Sequence, residues 1–234
     1  MRSKKATKNV QNLSKGVLFI CTVVWGTSVL NQTDYNPWYL FGSGKIENLY
    51  KSHPLNEYPP FMKYYYLGTL GYYIAKTFED ILMREKRNDF MEMVLHHTLT
   101  IELYVGSYMC NYMGVGSLII LALDWTQICV GLSRAFTETK FKTATVTFGV
   151  GMWVTWIYFR LFVFPMVVYY GLYSLPREIP DFSMKFDEMF VVNSLFWLNS
   201  GMMVLNIWWA YLITKLIIRA VKGKDNDIVN KVEN

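Results

Sequence analysis

Apolar residues in this chain come in long blocks separated by short charged stretches. Windows of about 18 or more residues with few charges fall near 16–33, 61–78, 90–113, 114–136, 144–170 and 190–213. At about 1.5 Å of rise per residue such blocks match a hydrocarbon layer about 30 Å thick. The pattern predicts an all-α, polytopic membrane helix bundle of about six transmembrane helices. It divides the chain into a basic arm over 1–15, a first membrane helix over 16–33, an interfacial aromatic and proline segment over 34–60, a main bundle over 61–221 and a polar tail over 222–234. The first block is the shortest and its basic flank resembles a signal sequence. With no small-residue cleavage pattern it reads as a span, and the arm before it as retained.

The most informative stretch runs from Arg87 to Arg134. It predicts a helix from Phe90 to about Met113, a turn at Gly114 and Gly116, and an antiparallel helix to about Phe136. The first of these carries Met93, His97, Thr100, Tyr104, Ser107 and Asn111 at steps of three and four, a polar stripe on an otherwise lipid-like surface. On the second, Ser117, Asp124 and Gln127 fall along a line by the same spacing. Polar side chains at membrane depth cost a few kcal/mol each unless they face a partner or a cavity, so the stripe marks a candidate site.

Elsewhere the pattern gives connections and single polar residues. Aromatics, prolines and glycines between Asn31 and Pro60 suit an interfacial belt, with a short helix lying on the membrane between Lys45 and Ser52. A charged turn spans Glu79 to Asp89, and a loop spans Gly171 to Glu188 with Pro176, Pro180 and four acids. Arg160 lies about 24 Å into the fifth span by helical rise, so it is expected to meet the far headgroups or an internal acid. Pro165 is expected to kink that span. In the last span Asn199 and Asn206, one heptad apart, are placed to hydrogen-bond to other helices.

Charge refines this picture. The net +5 is not a nucleic-acid signal, because it is distributed by side. With about six spans both termini share one side, which collects Arg2, Lys4, Lys5, Lys8, Lys15, Arg84, Lys86, Arg87, Arg134, Lys140, Lys142, Lys215, Arg219, Lys222 and Lys224. The opposite loops hold Lys45, Lys51, Arg177 and Lys185. This is the positive-inside bias and puts the termini on the cytosolic or equivalent side. The three cysteines, Cys21, Cys110 and Cys129, sit inside spans without CxxC pairing, which reads as packing.

The adjacent His96 and His97 point about 100° apart on a helix, so one imidazole can face a substrate while the other is held by a neighbour. An imidazole near a carboxylate serves as general base or transient acyl acceptor, with Asp124 as the orienting acid. The alternative is a satisfied polar cluster that joins helices. A metal site would need His96, His97, Asp124 and Glu92 crowded across two helices, and none is expected.

Pro37-Trp38, Tyr58-Pro59, Tyr65-Tyr66 and Gly71-Tyr72-Tyr73 are followed without a gap by Arg87-Asn88-Asp89-Phe90, His96-His97-x-x-Thr100, Ser107-Tyr108-x-x-Asn111, Gly116 and Asp124. Phe159-Arg160 and Pro165 continue the series. This order resembles the ceramide synthases, acyl-CoA-dependent sphingoid-base N-acyltransferases with the TRAM, longevity-assurance and CLN-type (TLC) membrane domain, over about 34–210. The resemblance implies catalysis by His96, His97 and Asp124, and a lipid pocket involving Thr100, Tyr104, Ser107, Tyr108, Asn111, Gln127 and Arg160. It implies no covalently bound cofactor, acyl-CoA as co-substrate, and a sphingoid base and membrane lipids as partners. The implied home is the endoplasmic reticulum, with the mitochondrial inner membrane as the alternative that the acid-free start leaves open. Where the family pattern has an arginine, a histidine, a second aspartate, a glutamate and a lysine, this chain has Gly114, Leu123, Gln127, Gly131 and Arg134. With four of those polar groups gone, the reading is a degenerate, pseudoenzyme-like site in a lipid-holding or structural subunit of a membrane complex. An active N-acyltransferase is the alternative.

Overall fold

The computed structural model describes residues 2–51, 56–82, 90–137, 142–179 and 185–221. Among these the architecture is all-α, with one isolated bridge between Pro37 and Gly44. Helix α1 (Arg2–Leu30) takes in most of the basic arm as well as the first span. Two 3-10 turns follow at Trp38–Leu40 and Ile46–Tyr50. Next come α2 (Met62–Leu82), α3 (Phe90–Met109) and α4 (Met113–Thr137). A long rod is built from α5 (Lys142–Thr155), a π-helical segment (Trp156–Val163), α6 (Phe164–Tyr169), a second π-helical segment (Tyr170–Ser174) and α7 (Leu175–Glu178). Helix α8 (Phe186–Val221) closes the bundle. The predicted polar tail, and most of the charged turn before Phe90, lie outside the described residues.

Among the described residues four helical stretches are long and apolar enough to cross a membrane: Val10–Leu30, Met113–Phe136, Thr143–Glu178 and Asp187–Arg219. The other two predicted spans exist as the helices α2 and α3, but each carries several ionisable residues, among them Lys76 and Asp80 on α2 and Glu92, His96 and His97 on α3. The chain is therefore an integral membrane helix bundle, with the candidate histidines on α3.

Several predicted boundaries move, each for a local reason. The turn between α3 and α4 falls at Cys110–Tyr112, not at Gly114 and Gly116, because Asn111 takes the left-handed conformation at φ 62°. Asparagine tolerates that region better than most residues, and both glycines instead lie in α4. Glu79 and Asp80 belong to α2 rather than to a turn, held in helical register by Lys76, whose ammonium donates to both at 2.8 and 2.5 Å. Helix continues from Gly171 to Glu178 where a loop was expected. The disturbance around Pro165 takes the form of the π-helical turns before it, which re-pair the backbone where proline removes a donor.

The described part of the 34–60 segment packs against the bundle. Ile46, Leu49 and Tyr50 are buried, and the Tyr50 hydroxyl donates to the Gly171 carbonyl. The Tyr58 hydroxyl donates to the Asn111 carbonyl at 3.0 Å. The segment thus caps one end of the bundle. Burial pushes the Tyr39 hydroxyl up to about 12 and raises the Tyr35 and Tyr50 hydroxyls as well, so these phenols stay uncharged at physiological pH.

Helices α1 and α4 cross at two glycines. A Cβ on Gly131 would stand 2.8 Å from the Gly16 nitrogen and 2.9 Å from the Gly16 Cα. Contact of this kind lets helix backbones meet without side chains between them. It also brings the basic end of α1 against the side of the candidate site.

Candidate functional site

Both histidines lie on the inward face of α3, each 5% exposed, with ring centroids 5.3 Å apart. They stand where two cavities meet. One is apolar, encloses about 650 Å³ including its mouth, and lies among α3, α4, the rod and α8. Its sides include Thr100, Leu103, Tyr104 and Ser107 of α3, Leu123 of α4, and Arg160. The other is a polar vestibule walled by Asn12 and Lys15 of α1, Lys76 and Asp80 of α2, both histidines, and Gln127 and Arg134 of α4. Tyr73 and His96 line both, and form the partition between them.

The two imidazoles have different surroundings. His96 turns to the apolar side: its Nδ1 is 3.0 Å from the Met202 sulfur, and its ring meets Trp209 edge-on at 5.1 Å. Its backbone carbonyl accepts the Thr100 hydroxyl at 2.7 Å. His97 turns to the vestibule, with Nε2 3.3 Å from the Asp80 carboxylate, whose other oxygen takes Lys76 at 2.5 Å. A Lys76–Asp80–His97 chain is therefore present, and sequence reasoning missed it by assigning Asp80 to a turn. The available signal was the i, i+3 and i, i+4 pairing of Lys76 with Glu79 and Asp80, which extends the helical pattern by a turn.

Asp124 is 1% exposed, with the Thr22 side chain beside its carboxylate, and it makes no ion pair with either histidine among the described residues. The carboxylate within ion-pair distance of His97 is that of Asp80. Arg160 lies within electrostatic reach of the internal acid Asp124 without forming an ion pair with it. It is 1% exposed, donates from Nη1 to the Asn206 side-chain oxygen at 2.9 Å, and lies 4.4 Å over the Trp156 ring. Among the described residues no acid comes within ion-pair distance of it. Of the asparagines Asn199 and Asn206 on α8, Asn206 reaches another helix, whereas Asn199 donates back to the Leu195 carbonyl of its own helix.

The remaining predicted residues divide. Thr100, Tyr104 and Ser107 line the apolar cavity, with Ser107 hydrogen-bonded to the Tyr66 hydroxyl. Gln127 lines the vestibule. Tyr108 stacks on Tyr66 at 6.2 Å and Asn111 forms the α3–α4 turn, so both lie outside the two linings. Among the described residues no three His, Cys, Asp or Glu side chains group as a metal site.

These features define a class of protein: a polytopic helical membrane protein with a histidine pair buried between a lipid-like cavity and a charged vestibule. Residues 11–215 match the TLC domain (TRAM, LAG1 and CLN8), and the chain belongs to the TLC-domain family. It is 29% identical to bovine ceramide synthase 4 over 94% of this chain and 53% of that protein. It is 27% identical to ceramide synthase hyl-2 of Caenorhabditis elegans over 73% of this chain and 53% of the relative. The corresponding figures for ceramide synthase LAG1 of Saccharomyces cerevisiae are 24%, 81% and 49%. The chain spans about half the length of these curated relatives.

Proposed function

We propose that this chain is a lipid-holding member of the TLC-domain family. A long-chain lipid lies with its tail in the apolar cavity and its polar end at His96 and Arg160, and the chain acts as a structural subunit of a membrane complex rather than as an efficient N-acyltransferase. The carrying observation is the junction of the two cavities at His96. From His96 to Ser107 the apolar cavity follows eleven residues of helix, about 16 Å by helical rise, a length that suits an alkyl chain.

The reduced catalytic role is supported by three positions. Asp124 makes no ion pair with either histidine among the described residues. Leu123 contributes an apolar wall where the family pattern has a histidine. Gly131, in place of a glutamate, is covered by the backbone of α1. Outward-facing aromatics on α8, with Trp197 at 70% and Phe190 at 64% exposure, give lipid or a neighbouring subunit a broad apolar face. The endoplasmic reticulum is the membrane that the likeness to ceramide synthases favours.

One observation favours a second reading. The 3.3 Å approach of Asp80 to His97 supplies a carboxylate–imidazole pair on the side from which an acyl-CoA and a sphingoid base would enter. The two readings part in one assay: purified full-length protein is given labelled acyl-CoA and a sphingoid base. The lipid-holding reading predicts no ceramide above the level of a His96→Ala, His97→Ala double variant. Ceramide formation that His97→Ala abolishes overturns it in favour of the enzyme.

A further inference from the structure

Arg160 poses a problem that its protein contacts do not solve. A guanidinium carries five N–H donors and a permanent charge, and burying it without a counter-charge is expensive at membrane depth. Here Asn206 takes one donor, Trp156 lies beneath the plane, and the buried Nε has no hydrogen-bond partner. The other charged or titratable groups at this end of the bundle are His96, Tyr73 and Asp124. His96 is turned to the Met202 sulfur. Asp124 lies within electrostatic reach of Arg160 but makes no ion pair with it among the described residues, so it offsets the guanidinium charge only at a distance.

What Arg160 faces is the apolar cavity, whose lining adds only scattered neutral polar groups such as Thr100, Ser107 and Asn199. Arg160 stands at the same end of the cavity as His96, Leu123 and Met202, and the lining continues from there to Tyr112 and Leu172. An amphiphile seated with its polar end at Arg160 would lay its chain along this apolar wall. The missing element is one anion, compact enough to sit at a buried guanidinium and attached to a hydrocarbon chain.

We propose that the cavity selects long-chain carboxylates, with the carboxylate of a free fatty acid accepting hydrogen bonds from Arg160. This inference rests on the lipid-holding reading above and adds the chemical class of the polar end. A carboxylate matches the planar fork of arginine, brings a counter-charge into direct hydrogen-bond contact, which no acid among the described residues does, and leaves the tail among apolar side chains. A neutral alcohol or ester of equal chain length fills the same cavity and leaves the charge unpaired.

The test compares three ligands of matched chain length on the purified full-length protein in nanodiscs: labelled palmitate, hexadecanol and methyl palmitate. Palmitate is expected to bind about tenfold or more tightly than either neutral ligand, the scale of one charge-assisted hydrogen bond. Arg160→Gln is expected to bring palmitate down to the alcohol's affinity and leave hexadecanol nearly unchanged, while Arg160→Lys keeps part of the preference. Equal binding of all three to the parent protein overturns the inference and leaves the lipid-holding reading standing. Binding of none overturns that reading itself. Because the ligand contrast is made on the parent protein, the result stands even if Arg160→Gln fails to fold.

Discussion

Replacing Gly131 by alanine tests how the first helix is held against the site. The added Cβ would meet the Gly16 nitrogen at 2.8 Å and the Gly16 Cα at 2.9 Å, with the Asn12 carbonyl oxygen at 3.4 Å. These are backbone atoms and cannot rotate away, so the upper part of the usual overpacking cost, about 3 kcal/mol, applies. Alanine regains about 1 kcal/mol of helix propensity over glycine, which leaves a net loss of about 2 kcal/mol. For a chain of this size that corresponds to roughly 4–8 °C in Tm. The assay is thermal unfolding in nanodiscs followed by tryptophan fluorescence, with Gly149→Ala and Gly201→Ala as internal controls. A Cβ at either control position meets nothing within 4 Å, so both variants are expected to melt at or slightly above the parent temperature. Gly131→Ala melting with the controls would refute the close crossing of α1 and α4. The same displacement would move Asn12 and Lys15, so the variant is also expected to open the vestibule.

Three further outcomes follow from the same geometry. Asn206→Leu removes the one hydrogen bond that a neighbouring helix gives Arg160 and is expected to cost about 1.5–3 kcal/mol in the same melting assay. Asp124→Asn exchanges a buried carboxylate that makes no ion pair among the described residues for a neutral amide, and is expected to match or exceed the parent Tm; a drop of several degrees would show that Thr22 and Arg160 together outweigh the cost of burying the charge. Gly131→Glu, which restores the family's residue, is expected to be more destabilising than Gly131→Ala, because a buried charge at membrane depth adds about 2 kcal/mol or more to the steric cost.

The sequence reveals the helices more readily than their partners. Long apolar blocks locate every major helix, and the three-and-four spacing places His97, Thr100, Tyr104 and Ser107 on the buried face of α3. Asp80 escapes because a charged run at a helix end reads as a turn, whereas Lys76 keeps it helical and turns it toward His97. The α3–α4 turn escapes because glycine is the stronger punctuation signal, while the chain uses Asn111. A period of 3.6 residues contains no trace of the π-helical turns around Arg160, and those turns carry the residue to an asparagine and a tryptophan instead of an acid. The loss of the family's glutamate at Gly131 reads in one dimension as a missing catalytic group. In three dimensions it is the place where α1 lies down.

Native mass spectrometry of the full chain released from nanodiscs, with and without Leu103→Trp to fill the middle of the apolar cavity, bears most directly on the account. The expected result is one long-chain lipid retained by each parent molecule and none by a Leu103→Trp variant that melts as a folded protein. A parent that carries no lipid, or a variant that carries as much as the parent, would contradict the claim that the bundle holds a lipid at its histidine pair.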